Sequence, residues 1–568
     1  MGKEEVCRIL EEIADLLDLK GENPFKVRAY RNAARSLLNE EEDLEKLIKN
    51  NKLTEIEGIG ESLAEKITLL VQKGRLPFYE QLKRSLPRGL IDLLQIQGLG
   101  PKKVQILYKK LGIKSIASLK KAAKQGKIAK LSGFGKKTET NILQALEHRE
   151  KYQLRHLWWN AWKEASSLLE KIRKIKGVAN ADIAGSLRRK LETIGDLDFI
   201  VGSSSPKAVM TQFLDQPFIE KIFSKGETKA SVMLRGGFKS DLRIVSEKEY
   251  PFALLYFTGS KEHNIELRSR ALKRGWSLSE YELKGVPKSK QPRSEKEIYA
   301  LFDLPYIPCE LRENLGEFDE KIPQLIEEKD LRGTFHVHTT ASDGRSTLKE
   351  VVSAAEKLGW EYIGISDHSK SAFQANGLSE ERICEQIDEI RKLNASKQYS
   401  IHVFAGVECD IMTNGALDYS DSLLKKFDFV IASVHSALQQ DEKKMTKRLI
   451  RAIEHPQTTI LGHPTGRLLL QREPYAVNIP KIIDACIANK KIIELNANPM
   501  RLDLDWRFWH AASERGLLCS INPDAHAADQ LIFVKAGINS ARKGWLEKKH
   551  VINTRSLKEI KKLLKTPP

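Results

Sequence analysis

Residues 333–346 read GTFHVHTTASDGRS, placing His336 and His338 two apart and Asp343 five further on, in a chain with only 13 histidines among 568 residues. Ligand-type residues recur downstream: His368 in SDH, Glu408 in GVE, His435 in SVH, His463 in GHP, and Asp524 with His526 in PDAH. Imidazole and carboxylate without thiolate suit Mn²⁺, Zn²⁺ or Fe. Nine ligands are too many for one ion, which predicts two or three ions with a carboxylate bridging. Clustered cations of this kind serve phosphoester hydrolysis. Asp367 and Glu494 are expected behind the ligands rather than among them. Arg467, just after His463, reads either as a phosphate grip or as a surface residue.

A repeated element must hold these residues together. The runs TFHVH, YIGISDH, VFAGVECD, FVIASVH, TILGHP, KIIELNAN and LLCSINPDAH are apolar and β-rich. Between them, stretches such as STLKEVVSAAEKLG and SEERICEQIDEIRKLNA carry helical spacing. Seven β-then-α units argue for a closed parallel barrel. Its ligands all fall at the C-terminal ends of strands, where such barrels assemble their sites.

A second constellation lies upstream, in ADIAGSLRRKLETIGDLDFIV at 181–201. The alternation in GDLDFIV puts Asp196 and Asp198 on one strand face, and KSDLRIV supplies Asp241 from a strand that can pair beside it. Converging carboxylates repel unless cations sit among them. Two Mg²⁺ ions about 3.5–4 Å apart would serve in-line nucleotidyl transfer. Gly185 and Ser186, followed by Arg188 and Arg189, offer an N–H, a hydroxyl and guanidinium groups for a triphosphate.

A third pattern repeats three times, in IEGIGESLAEKI, IQGLGPKKVQIL and LSGFGKKTETNIL. Each carries a glycine pair (Gly58/Gly60, Gly98/Gly100, Gly133/Gly135) before a helical stretch, and two are followed by lysines, Lys102 and Lys103 or Lys136 and Lys137. Glycine lets backbone approach another surface closely, and a helix start offers free N–H groups to phosphate. These look like helix-hairpin-helix motifs that grip DNA backbone without reading bases. Residues 81–140 hold fifteen Lys/Arg against two acids, out of a net charge of +18 for the chain. A polyanion suits that field.

Length predicts three to five domains. Six scattered cysteines without CxxC spacing read as reduced thiols of a cytosolic protein. Nothing resembles a membrane span or a signal peptide.

GSLRRKLETIGDLDFIV resembles the active-site signature of family X DNA polymerases, the relatives of DNA polymerase beta. The likeness extends over residues 1 to about 316: NPFKVRAYRNAARSL and EGIGESLAEKI are similar to the domain that binds a downstream 5′-phosphate, and YFTGSKEHNIELRSRA to the thumb. The resemblance implies Asp196 and Asp198 on both catalytic metals, with Asp241 adding to one, the metals being Mg²⁺ or Mn²⁺. It implies Ser186 and Arg189 on the triphosphate, and Tyr256, Phe257 and Gly259 against the sugar. Asn264 and Arg268 would face the minor-groove side of the new pair. Lys66 matches the Schiff-base lysine of an abasic-site lyase, with Ser62 where a supporting lysine often stands.

HVHTTASDG, SDH, GVE, SVH, GHP and PDAH resemble the polymerase and histidinol phosphatase (PHP) domain, over residues about 333–568. Members fused to an X-type polymerase are bacterial and carry a manganese-dependent 3′–5′ exonuclease; some also cut abasic sites or remove 3′-phosphates. The implied organisation is multidomain: a helical 5′-phosphate-binding domain (1–85), helix-hairpin-helix fingers (86–148), an α+β nucleotidyltransferase palm (149–243), a thumb (244–316), an acidic linker (317–332) and a distorted (β/α)7 PHP barrel (333–568). The implied protein is a monomeric, cytoplasmic, nucleoid-bound repair polymerase that takes dNTPs and gapped or primed DNA. Two alternatives stay open: a barrel acting as a small-molecule phosphatase, and a non-catalytic DNA-end scaffold.

Overall fold

The computed structural model describes residues 3–40, 44–94, 96, 99–152, 155–287 and 291–565. Among the expected site residues, Gly98 lies outside the described residues. The chain divides into two units, Met1–Gln153 and Leu154–Pro568. No helix among the described residues is long and apolar enough to cross a membrane.

The first unit is helical. Helices Lys3–Lys20, Pro24–Asn39, Glu61–Lys73, Pro77–Arg84, Pro101–Leu111, Ile116–Lys124 and Lys136–Tyr152 account for most of it. Leu10, Ile13 and Leu17, spaced for one helical face, are fully buried with Leu37, Ile67, Val104 and Leu107 in one core. Three of these helices start on proline, whose missing N–H costs nothing in a first turn. Left-handed glycines, Gly74 and Gly112, end two of them.

The second unit opens with a five-stranded sheet in the order Asn180–Ile183, Leu197–Gly202, Lys239–Val245, Lys229–Leu234, Ile219–Lys225. Helix Trp158–Arg173 buries Trp158, Ala161, Ala165 and Leu168 against it. Helices Tyr250–Thr258, Lys261–Lys273 and Glu295–Leu301 follow, around Leu267, Ile298 and Tyr299.

Seven parallel strands then succeed one another in chain order: Gly333–Thr334, Tyr362–Ile365, His402–Asp410, Phe429–Ser433, Ile460–Leu461, Ile492–Asn496 and Cys519–Asn522. Val337 bridges Ala525 in parallel, and the Ala525 carbonyl accepts the His338 N–H at 2.8 Å, so the ring is nearly closed. The intervening helices begin where the sequence supplies a cap. Thr347 and Glu350 form a capping box on Leu348–Lys357, Ser379 caps Glu380–Ser396, and Asp441 caps Glu442–Ile453.

The sheet and the barrel share a core. Leu502 and Ala536 of the barrel lie in one apolar cluster with Trp158 and Phe199, and Phe533 meets Trp159 edge-on at 5.5 Å. The stretch 317–332, expected as a linker, is packed rather than free. Its acidic composition conceals buried Glu317, Phe318, Leu325 and Ile326. Glu317 sits 2.8 Å from His263 Nδ1 and accepts the N–H groups of Asn314 and Leu315.

Candidate active sites

The sheet brings its three carboxylates together by strand pairing. Asp198 and Asp241 are direct partners in the parallel register of Leu197–Gly202 with Lys239–Val245, so their side chains share a face. Asp196 stands one residue before its strand, with Lys239 Nζ 3.9 Å from its carboxylate. Burial pushes the Asp198 carboxyl up to about 7, and the charges of Asp196 and Asp241 add to the rise. Asp241 Oδ1 is buried without a hydrogen-bond partner among the described residues. An oxygen-only cluster that resists its own ionisation has the chemistry of a divalent-cation site.

Gly185 explains why the GS turn can lie against this cluster. Its φ is +63°, and a Cβ there would strike the Asp198 carboxylate. Ser186 follows in the short helix Gly185–Arg188. Arg188 and Arg189 are both committed to the protein. Arg188 forms a two-pronged pair with Glu295 at 2.6 and 2.8 Å, and Arg312 Nη1 donates to the same carboxylate at 2.6 Å. Arg189 donates to the Thr258 carbonyl at 2.5 Å and to Glu313 at 3.1 Å, which seats its guanidinium against Gly259. Tyr256 and Phe257 meet edge to face at 5.2 Å. Asn264 donates to the Tyr256 carbonyl at 2.7 Å, and Arg268 lies 6.0 Å from the Tyr256 ring.

At the mouth of the barrel all nine expected ligands meet. Their donor atoms fall into four overlapping sets: His338, Asp343, His368, His526; His336, His338, Asp524; His336, Glu408, His463; and His368, Glu408, His435. Glu408 serves two sets, with Oε1 2.9 Å from His463 Nε2 and 3.2 Å from both His336 Nε2 and His435 Nε2, and Oε2 3.0 Å from His368 Nδ1. Several buried ring nitrogens (His336 Nε2, both of His338, His368 Nδ1) approach carboxylates without a well-directed hydrogen bond. Donors that converge on common points rather than on each other fit divalent cations. His336 and Asp524 hold left-handed backbone, φ 52° and 49°, which non-glycine residues adopt only when surrounding structure enforces it.

A supporting layer fixes the imidazoles. Glu494 lies 2.6 Å from His336 Nδ1 and accepts the His463 N–H at 2.7 Å. Asp367 accepts from Thr339, Ser342 and Gln386, anchoring the loop that carries Asp343. Sequence reading omitted three members of this layer. Asp410 lies 2.6 Å from His435 Nδ1; Asn522 donates to Glu494 at 2.9 Å; Arg501 pairs with Asp524 at 3.2 Å. The second acid in GVECD, on the same strand face as Glu408, was the available signal for Asp410. Arg467 is buried and occupied by Asp505 at 2.6 Å and the carbonyls of Arg501 and Leu502.

The electrostatics are mutual. Burial opposes charge on His336, yet Glu494, Glu408 and Asp524 outweigh it and raise its pKa well above the ordinary value. Burial likewise opposes charge on His435 and His526, but Glu408 and Asp410 raise the first to about 10, and Asp343 and Asp524 the second to about 9. Glu408 and Asp524, despite burial, are held well below the carboxylate range by the surrounding histidines. His338, buried between His526 and His368, is lowered to about 4.

In the first unit, Gly60 and Gly100 immediately precede helices Glu61–Lys73 and Pro101–Leu111, and Gly135 precedes Lys136–Tyr152. A Cβ on any of these, or on Gly133, would meet nothing within 4 Å, so each helix start presents open backbone. Gly58 and Gly133 supply the left-handed turns before them, φ 86° and 83°. Lys102, Lys103, Lys136 and Lys137 lie in the first turns of the helices they begin. Lys66 is half-buried and donates to the Ser62 carbonyl at 2.8 Å and hydroxyl at 2.6 Å.

Family models match four stretches: a helix-hairpin-helix domain over 1–76, a SAM-like helix-hairpin-helix tandem over 90–148, a DNA polymerase beta thumb over 253–313 and a PHP domain over 334–498. The DNA polymerase/3′-5′ exonuclease PolX of Bacillus subtilis strain 168 is 41% identical over 572 aligned positions that span the whole of both chains. A probable phosphatase of Thermoanaerobacter sp. strain X514 is 27% identical over 241 residues, 40% of this chain and 93% of its own. Another, from Caldanaerobacter subterraneus, is 31% identical over 166 residues, 28% of this chain and 60% of its own. With full-length identity at that level and these domain matches, the chain belongs to the family X DNA polymerases that carry helix-hairpin-helix domains, a DNA polymerase beta thumb and a C-terminal PHP domain.

Proposed function

We propose that this enzyme fills short gaps in DNA by adding dNTPs to a primer 3′-end and shortens 3′-ends hydrolytically in its barrel. The observation that carries the reading is the coexistence, within one compact unit, of an all-oxygen triad and a separate imidazole-rich cluster.

In the sheet, Asp196, Asp198 and Asp241 would hold two Mg²⁺ or Mn²⁺. Cations there supply the charge neutralisation that an in-line displacement at a triphosphate requires. The chain's own part is positional. Ser186 and the backbone of the Gly185 turn receive phosphate oxygens. Arg189, seated against the Thr258 carbonyl, turns its remaining donors to the triphosphate. Tyr256, Phe257 and Gly259 lie against the sugar and disfavour a 2′-OH, while Asn264 and Arg268 meet the new pair. The helix starts after Gly60, Gly100 and Gly135 seat DNA phosphates, including a downstream 5′-phosphate.

In the barrel, the nine ligands would hold two or three ions of Mn²⁺, Zn²⁺ or Fe, whose Lewis acidity favours phosphoester hydrolysis. Glu494 and Asp410 fix the imidazoles of His336 and His435 so that Nε2 of each faces inward. The same chemistry extends to 3′-phosphates and abasic sites. One chain supplies the carboxylates of one site and the ligands of the other, which suits a monomer working on DNA in a bacterial cytoplasm. Lyase action at Lys66 carries less support, since attack requires its amine to leave both Ser62 acceptors.

The test is a labelled one-nucleotide gap with a 5′-phosphate, given Mg²⁺ or Mn²⁺ with and without dNTPs. Extension with dNTPs and shortening without them are expected; absence of either removes that half of the reading. A second reading, a barrel specialised for small phosphate monoesters, draws on the names of the Thermoanaerobacter and Caldanaerobacter relatives. Turnover of such monoesters far above that of DNA ends would favour it.

A further inference from the structure

The barrel site opens in one direction. His336, His338, Glu408 and His463 are sealed, whereas Asp343 and His526 keep 31% and 32% of their side-chain surface and His435 is partly open. A substrate phosphate therefore enters past Asp343, His526 and His435.

Beside that opening stands a short strap, residues 369–377, that leaves the barrel directly after the ligand His368 and returns to it. The Leu378 N–H donates to the His368 carbonyl at 2.9 Å, and the Ser369 N–H to the Glu408 carbonyl at 3.0 Å, closing the strap at its base. One flank is tied to the Asp343 loop: Asn376 Nδ2 donates to the Ser342 carbonyl at 3.1 Å, and Arg382 to the Ala341 carbonyl at 2.5 Å. The other flank is tied to the residue that orients His435, through Ser371 Oγ to Asp410 at 2.8 Å. From this tethered strap Phe373 projects with 90% of its surface in water, the most exposed large apolar residue among those described.

A single exposed phenylalanine is ordinary on a mobile surface. Here the strap is tied on one flank to the loop that carries Asp343 and on the other to Asp410, which orients His435, so the backbone that carries the ring is anchored beside two of the open ligands. A 3′-terminal phosphodiester reaches recessed cations only if its nucleotide leaves the duplex stack, which exposes one base face. Aromatic side chains compensate unstacked bases without regard to sequence.

We propose that Phe373 is a stacking platform for the nucleobase of the 3′-terminal nucleotide, positioning DNA ends for hydrolysis in the barrel. This rests on the exonuclease reading above and adds the determinant by which that site prefers nucleic acid ends to small phosphates.

The experiment pairs Phe373→Ala and Phe373→Trp with two substrates: an ordinary 3′-terminus and one whose last residue is a baseless tetrahydrofuran. Phe373→Ala should lower kcat/KM for shortening on the order of tenfold on the ordinary end, have no effect on the baseless end, and leave dNTP addition unchanged; Phe373→Trp should retain activity. Equal rates for Phe373→Ala and wild type on the ordinary end, or an equal loss on both ends, would overturn the platform. A second readout does not need turnover. A 3′-terminal 5-iodouracil behind a phosphorothioate linkage, irradiated with the Mn²⁺-loaded protein, should cross-link to peptide 369–378; cross-links only elsewhere would also overturn it. Wild-type protein that cross-links there yet never shortens DNA would sink the exonuclease reading and leave the platform standing.

Discussion

The sheet and the barrel solve the same problem, gathering cations beside a phosphate, with opposite degrees of preparation. In the sheet three carboxylates come from two adjacent strands, and one lysine at 3.9 Å is the nearest counter-charge to Asp196. In the barrel nine ligands come from the ends of six strands, and a further layer of Glu494, Asp410, Asp367 and Asn522 holds them from behind. An open oxygen cluster binds Mg²⁺ weakly and draws the rest of its ligands from substrate phosphate. A braced imidazole cluster would hold its ions more tightly, since outer partners fix each ring and raise its basicity. On the proposed reading, the sheet site would draw its remaining ligands from the substrate, whereas the barrel's own fold brings nine potential ligands together.

The strongest way to break this contrast is to delete one cluster at a time. Asp198→Ala should reduce nucleotide addition by at least about a thousandfold, since the charge stabilisation of the displacement goes with it, and leave Mn²⁺-dependent shortening intact. The pair His336→Ala with His338→Ala should do the reverse on the same labelled gap. Loss of both activities in either folded variant would mean that the two clusters are one functional site.

Next in size is the brace of the sheet side. Arg312 is wholly buried and Arg188 largely so, and Glu295 pairs with both. Glu295→Ala should cost about 3–5 kcal/mol, because it strands a buried guanidinium; calorimetry of the folded enzyme would register the fall. The paired arginines outweigh burial and hold the Glu295 carboxyl near 2, below its ordinary 4.5. Its contribution is therefore complete above the ordinary carboxylate range and disappears as pH falls toward 2. Glu295→Gln should flatten that acid limb of the stability curve.

Smaller still is the outer layer of the barrel. Glu494→Gln should weaken metal retention by about 10–100-fold, read as metal content after dialysis, with dNTP addition unaffected. An unchanged metal content would show that the bracing is dispensable.

The subtlest test compares protons. Without cations the surrounding carboxylates favour the protonated forms of His336, His435 and His526, the latter two raised to about 10 and 9. An imidazole nitrogen must lose its proton to bind metal, so loading the barrel should release protons and tighten as pH rises from 6 to 8. In the sheet, burial and the neighbouring carboxylates raise Asp198 to about 7. Calorimetry in two buffers of different ionisation enthalpy should find more protons released per molecule by the wild type than by the His336→Ala, His338→Ala variant.

Much of this is legible in the sequence wherever the information is local. Period-two alternation placed Asp198 and Asp241 on strands able to lie side by side; the structure supplies the register, with the two residues direct partners. The strand-end ligands HVH, SDH, SVH and PDAH announced the barrel because each sits at the same phase of a repeated unit. The helical spacing in STLKEVVSAAEKLG and SEERICEQIDEIRKLNA corresponds to helices Leu348–Lys357 and Glu380–Ser396.

What sequence alone determined, then, is which residue types suited to chemistry recur and which short element presents each of them, because periodicity acts over a few positions. What tertiary structure decided is how those elements share atoms across hundreds of residues. Glu408 serves two ligand sets, Asp410 rather than solvent orients His435, Arg189 rests on Thr258 and Glu313, and the acidic 317–332 stretch is folded into the core. Contacts of that kind depend on where a distant strand or helix comes to rest, and packing sets that position, not local spacing.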